Sequence, residues 1–148
     1  MNPAGPGASA STSDLTIDHV GTSVADLDRS HAFYDAALGF SIVEDRFTLA
    51  AHDLRGLVLR NRAGARLELF EKADSIPVRA VDPIAAAALH GWFQLAFATS
   101  DVPGQFERIV AAGATPVRAP FIAPDGRTTV AFVADPDGNL IELIERTA

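Results

Sequence analysis

GARLELFE at residues 64–71 returns as GNLIELIE at residues 138–145, and the two stretches superpose without a gap, setting Glu68 on Glu142. Upstream, HVGTSVAD at 19–26 lies over QLAFATSD at 94–101, which sets His19 on Gln94. The spacing agrees as well: 49 residues separate positions 19 and 68, and 48 separate positions 94 and 142. Self-similarity at both ends of a period is the mark of a duplicated unit. The chain therefore reads as two copies of one supersecondary motif.

Working outward from those anchors, Leu15 to Val24 alternates small or polar with branched residues, the pattern of a strand covered on one side. Asp26 then caps a helix over about 27–38, with Leu27, Phe33, Tyr34 and Leu38 as its apolar stripe and Gly39 as its stop. Strands are expected near 41–48, 53–60 and 65–71. The second half repeats the order: a strand over 92–99, Asp101 as cap, a helix over about 103–112 ended by Gly113, and strands near 115–122, 127–134 and 139–145. Pro124-Asp125-Gly126 and Asp135-Pro136-Asp137-Gly138 supply the turns between them. Each half thus reads βαβββ, an α+β class. Residues 72–90, with an alanine-rich piece from Ile84 to His90, read as a linker and lid.

Composition narrows the function classes. At 148 residues and 48% hydrophobic, the chain suits one compact domain, here residues 15–146, with module 1 at 15–71, the linker at 72–90 and module 2 at 91–146. A formal net charge of −7 argues against nucleic acid and anionic lipid as partners. There is no cysteine, so neither a disulfide framework nor a thiolate nucleophile is available. Residues 1–14 are rich in Gly, Pro, Ala and Ser, lack the pattern of a signal peptide, and read as a flexible tail. No apolar run is long enough for a membrane span, and a cytoplasmic setting is expected.

Alternation on a strand puts Ile17, His19, Gly21 and Ser23 on one face, matched by Trp92, Gln94, Ala96 and Ala98. A polar residue among small neighbours points to a cavity on that face. Glu68 and Glu142 each interrupt an apolar run, where an unpaired buried carboxylate is costly. Taken singly, the histidine could be a surface residue and each glutamate could face solvent on an edge strand. Taken together, equivalent positions of a repeat are best explained by one shared divalent cation. An imidazole, a carboxamide and two carboxylates suit Zn, Ni, Co, Mn or Fe(II). Asp135 to Gly138 lacks the further acidic ligands of a calcium loop and reads as a turn. His31, His52 and His90 have no repeat partner.

IDHVGTSVADLDRSHAFYDAALGF at 17–40 and FVADPDGNLIELIE at 132–145 resemble the opening and closing signatures of the glyoxalase, bleomycin-resistance and extradiol dioxygenase superfamily, known as vicinal oxygen chelate proteins. The resemblance runs from about residue 15 to 146. It implies a curved mixed sheet around a central cavity, one divalent metal held by His19, Glu68, Gln94 and Glu142, and a homodimer binding a small molecule. It also implies a glyoxalase-like lyase or isomerase, moving a proton beside a carbonyl through a metal-stabilised enediolate, with Glu142 as base and Glu68 as its symmetric alternative.

His19 stands in module 1 and Gln94 in module 2, whereas histidine is the commoner residue at the Gln94 position. Gln94 breaks the two-histidine, one-glutamate pattern of extradiol dioxygenases. The epimerase-like members also keep histidine there. Two other readings stand beside the isomerase: a bleomycin-resistance-type binding protein without catalysis, for which Trp92, Phe70 and Phe121 could supply stacking surfaces, and a specialised biosynthetic enzyme. Arg66 and His90 are possible substrate contacts.

Overall fold

In the computed structural model, residues 16–77, 82–88 and 90–147 are described. The expected tail at 1–14 lies outside them. Module 1 runs β1 (Val20–Val24), α1 (Leu27–Leu38), β2 (Ile42–Leu49), a 3₁₀ turn (Ala50–His52), β3 (Leu54–Arg60) and β4 (Arg66–Lys72). A short helix, α2 (Pro83–Ala87), leads into module 2, which runs β5 (Gln94–Ala98), α3 (Val102–Ala111), β6 (Thr115–Ile122), β7 (Thr128–Ala134) and β8 (Leu140–Arg146). The βαβββ order and the α+β class stand as read from the sequence.

Each module builds a four-stranded mixed sheet, ordered β1-β4-β3-β2 and β5-β8-β7-β6. In both, the first strand runs parallel to the last while the remaining pairs are antiparallel. The mixed sheet expected from two tandem modules is built among the described residues as two four-stranded halves, one from each module. Among the described residues β1 and β5 are edge strands of their sheets and do not pair with each other.

The helices form where caps and stripes direct them. Asp26 accepts from Arg29 N at 2.8 Å and Asp101 accepts from Gly104 N at 2.9 Å, each satisfying an orphan donor of the first turn. Gly39 ends α1 at φ 72°, a left-handed conformation that costs any residue with a Cβ. Strand one is shorter than read: residues 16–19 approach the sheet without entering the ladder.

Burying apolar faces joins the modules. Leu57, Leu59, Leu67 and Leu69 of the first sheet, Ala131, Val133, Ile141 and Leu143 of the second, and Leu27, Phe33, Tyr34, Val102 and Ile109 of the helices share one core. A second, smaller cluster lies on the other face of sheet two, where Ala86 of α2 packs with Val130, Phe132 and Leu140. The linker helix therefore covers part of that face. It spans Pro83–Ala87 and is started by Asp82, which caps it at Ile84 N and Ala85 N, with proline in its first turn. Among the described residues no helix is long and apolar enough to cross a membrane.

The turn at Asp135 adds a polar lock to this core. Asp135 is buried and accepts from Asp137 N, Asn139 N and Asn139 Nδ2 within its own turn, and from Tyr34 Oη on α1. Burial and the neighbouring Asp135 carboxylate both push the Tyr34 phenol up. Arg29 donates to Asp137 beside it. As read from the sequence, Asp135 to Gly138 is a turn.

Candidate functional site

Strand register decides which side chains meet. β1 lies parallel to β4 with Gly21 opposite Glu68, and β5 lies parallel to β8 with Ala96 opposite Glu142. Side chains two apart share a face, so His19 and Gln94 each stand beside the carboxylate of their own module. The two halves repeat this placement.

In module 1, His19 Nε2 is 3.1 Å from Glu68 Oε2, with Glu68 largely covered and His19 half-exposed. The other ring nitrogen, Nδ1, is 2.9 Å from Asp18 Oδ2. Asp18 holds the imidazole above its ordinary value, aided by the Glu68 charge and opposed by desolvation. Behind Asp18 stands Arg66, 3.3 Å away through Nη1, whose Nε donates to Glu44 at 2.6 Å. Arg60 donates to the other oxygen of Glu44 at 2.5 Å, and the two guanidinium groups keep that carboxyl below the usual range.

In module 2, Gln94 Nε2 donates to Glu142 Oε2 at 2.5 Å. A half-turn of the carboxamide would present its oxygen instead. Burial pushes the Glu142 carboxyl up, and Arg146 only partly offsets it. The faces around both pairs are lined by small residues, Gly21 and Ser23 in one half and Ala96 and Ala98 in the other.

The four residues thus form two pairs, one on each sheet. Among the described residues no three His, Asp or Glu side chains gather as a metal cluster within the chain. A cavity of about 380 Å³ lies along the β1 and β5 edges, bounded by Val20, Thr22, Leu95, Leu140 and Ile141, and Gln94 borders it.

Other residues singled out by sequence fall as follows. His90 and Trp92 line the cavity mouth, Trp92 fully exposed. Phe70 packs edge-on against Phe47, and Phe121 stacks on Phe132 with Arg118 over its outer face. Arg66 is engaged by Glu44 and Asp18 and is not free for substrate. His52 is exposed and His31 half-buried. Sequence reading does not single out Asp18, Glu44 or Arg60. The one available signal is the adjacency of Asp18 to His19.

A family model described as the Glyoxalase/Bleomycin resistance protein/Dioxygenase superfamily matches residues 16–143. The chain belongs to this superfamily. It is similar to a probable lactoylglutathione lyase of Vibrio cholerae, 29% identical over 143 residues that span 90% of this chain and 92% of that protein. It is also similar to a lactoylglutathione lyase of Haemophilus influenzae, 30% identical over 137 residues, 88% of this chain and 93% of that one. Among solved structures, glyoxalase I of Zea mays superposes with a TM-score of 0.69 at 25% identity, over 88% of this chain and 44% of that chain. A glyoxalase family protein of Enterococcus faecalis superposes at 0.74 and 23% identity, over 89% of this chain and 98% of that chain, a likeness of fold. The superfamily unites different chemistries on one scaffold, so activity has to be argued from the site.

Proposed function

We propose that the protein is a divalent-metal-dependent lyase or isomerase of the glyoxalase type, acting by proton transfer next to a carbonyl. One observation carries the reading: at matching register positions of the two sheets, opposite Gly21 and opposite Ala96, stands a carboxylate paired with a nitrogen-bearing side chain. Packing alone gives no reason for both modules to make that choice.

The donor set fits one ion. His19 through Nε2, Glu68, Gln94 through its carboxamide oxygen and Glu142 would hold Ni, Zn, Co, Mn or Fe(II). When bound, such an ion supplies Lewis-acid stabilisation of the charge that develops on oxygens beside the reacting carbon. The protein residues do the rest. Glu142 takes the proton from the hydroxyl-bearing carbon next to the carbonyl and returns it to the former carbonyl carbon, while the hydroxyl proton passes to the neighbouring oxygen, so that hydroxyl and carbonyl exchange places. Burial pushes its carboxyl up, in the direction of a stronger base. Glu68 is the symmetric alternative.

Because the chain holds the set as two separate pairs, we assign the completed site to a homodimer, in which module 1 of one copy faces module 2 of the other. The position of β1 and β5 at the edges of their sheets among the described residues and the exposed Trp92, Ile17, Val20 and Phe93 around them support this arrangement. A cytoplasmic setting remains part of the proposal. The substrate is a small molecule with adjacent oxygen functions. Lactoylglutathione, named in two relatives, is the first compound to assay.

The test pairs metal analysis of the purified protein with turnover. Glu68→Gln and Glu142→Gln are expected to keep bound metal, and the variant lacking the base loses turnover. Unchanged activity in both would sink the assignment. Stoichiometric binding of an organic cation by a protein that takes up no metal would favour the bleomycin-resistance-type reading, to which the net charge of −7 lends itself.

A further inference from the structure

The two halves of the proposed site differ in what stands behind the ligand pairs. In module 1 a polar relay runs from His19 Nδ1 to Asp18 Oδ2 at 2.9 Å, from Asp18 Oδ1 to Arg66 Nη1 at 3.3 Å, and from Arg66 Nε to Glu44 Oε2 at 2.6 Å. Arg60 closes it on Glu44. The pairing of β2 with β3 skips Glu44, passing from Val43 opposite Leu59 to Asp45 opposite Val58. That irregularity sits where Glu44 meets both guanidinium groups.

Module 2 carries none of this. The residue before Gln94 is Phe93, where Asp18 precedes His19, and the residue two before Glu142 is Leu140, where Arg66 precedes Glu68. A carboxamide ligand has one oxygen to offer and a freely chosen flip. An imidazole has two nitrogens, only one of which can face an ion, and something must direct the other. The relay appears only in the half that bears the imidazole.

Glu44 bridges Arg60 and Arg66, which stand opposite each other on β3 and β4, so that part of the network serves the sheet, whereas the exposed pair that Asp18 makes contributes little to stability. Asp18 is largely exposed and lies ahead of the β1 ladder, so no strand depends on it.

We infer that Asp18 is a positioning residue for His19: it accepts the Nδ1 proton, so that an ion entering between His19 and Glu68 would meet the Nε2 lone pair, and it is itself held by Arg66, which Glu44 holds in turn. A carboxylate on the far nitrogen also raises the basicity of a histidine ligand. This inference rests on the four-residue metal reading above. It makes the exchange of His19 and Gln94 between modules more than a swap of ligands, since the histidine stands where its orienting partners are.

The experiment uses the full chain and Co(II) as probe. Wild type, Asp18→Asn, Asp18→Ala and Arg66→Gln are titrated with Co(II) against a competing chelator. The His19 Nδ1 proton resonance, assigned by its loss in His19→Gln, is followed in the Zn(II)-loaded proteins. Loss of an outer partner of this type weakens metal binding by about 10- to 100-fold. Asp18→Ala is expected to show that loss and a rapidly exchanging Nδ1 proton. Asp18→Asn keeps an acceptor and lies between it and wild type, and Arg66→Gln shows a smaller loss than Asp18→Ala. Equal Co(II) affinity in wild type and Asp18→Ala, or an unchanged Nδ1 proton, would overturn the role of Asp18 alone. A wild type that takes up no Co(II) would overturn the metal reading and this role with it.

Discussion

Tyr34 Oη donates to Asp135 Oδ2 across 2.9 Å, from the helix of module 1 to the last turn of module 2. Both residues are almost fully buried, so the bond forms away from competing water. Tyr34→Phe leaves the Asp135 carboxylate one donor short and is expected to cost about 1–3 kcal/mol in urea unfolding. Asp135→Ala strands the phenol, the Asn139 amide and two backbone N–H groups together, and is expected to cost about 3 kcal/mol or more. If Tyr34→Phe unfolds at the wild-type midpoint, the bond does not join the halves energetically.

Glu71 makes stability depend on pH in a defined window. Arg55 and the N–H of Leu27, which Glu71 accepts at 2.8 Å, hold its carboxyl below the ordinary 4.5. A group with a lowered folded value contributes stability that is fully present above 4.5 and is lost as pH falls through the lower folded value. Glu71→Gln should therefore unfold more easily than wild type at neutral pH and show a flatter decline below pH 4.5. Parallel acid titrations of melting temperature would refute this assignment.

Gly39 stops α1 in the left-handed region at φ 72°, donating to Asp35 O at 2.9 Å, while Phe40 N reaches Tyr34 O at 3.1 Å. Gly39→Ala imposes a Cβ on that conformation and is expected to cost about 1 kcal/mol, read as a lower melting temperature with unchanged far-ultraviolet dichroism. Nothing lies within 4 Å of the added carbon, so strain is the only cause at work.

How much of this was legible before the structure follows from what each signal encodes. Period and caps are local and a repeat shows on aligning the chain with itself, so both helices could be read from Asp26, Gly39 and Asp101, and the matching register of Glu68 and Glu142 from the repeat. The partition into two pairs could not, because it depends on how one sheet sits relative to the other, which no local pattern records. Arg66 is instructive in the same way. As a free cation near the site it resembles a substrate contact, yet Glu44 and Asp18, which lie 22 and 48 residues away, already engage it. Asp18 was hidden by the same distance dependence, since its adjacency to His19 says nothing of Arg66. Ala86 of the linker helix joins Val130, Phe132 and Leu140 in one cluster, a grouping that only the folded sheet brings together.

The proposed split of the site between copies makes a complementation prediction. A double variant His19→Ala/Glu68→Ala removes the module 1 pair, and Gln94→Ala/Glu142→Ala removes the module 2 pair, so neither is active alone. Were both pairs to serve one site within a single chain, mixing the two proteins would restore nothing. In a dimer with crossed sites, a mixed dimer joins the intact module 1 of one copy to the intact module 2 of the other, and so carries one competent site of two. Unfolding and refolding an equimolar mixture gives mixed dimers as half the population, so about one quarter of wild-type activity is expected. Metal content distinguishes the arrangements independently of turnover, because only the mixed dimer regains one high-affinity ion. A mixture that sediments as a dimer yet recovers neither metal nor activity would place the completed site elsewhere.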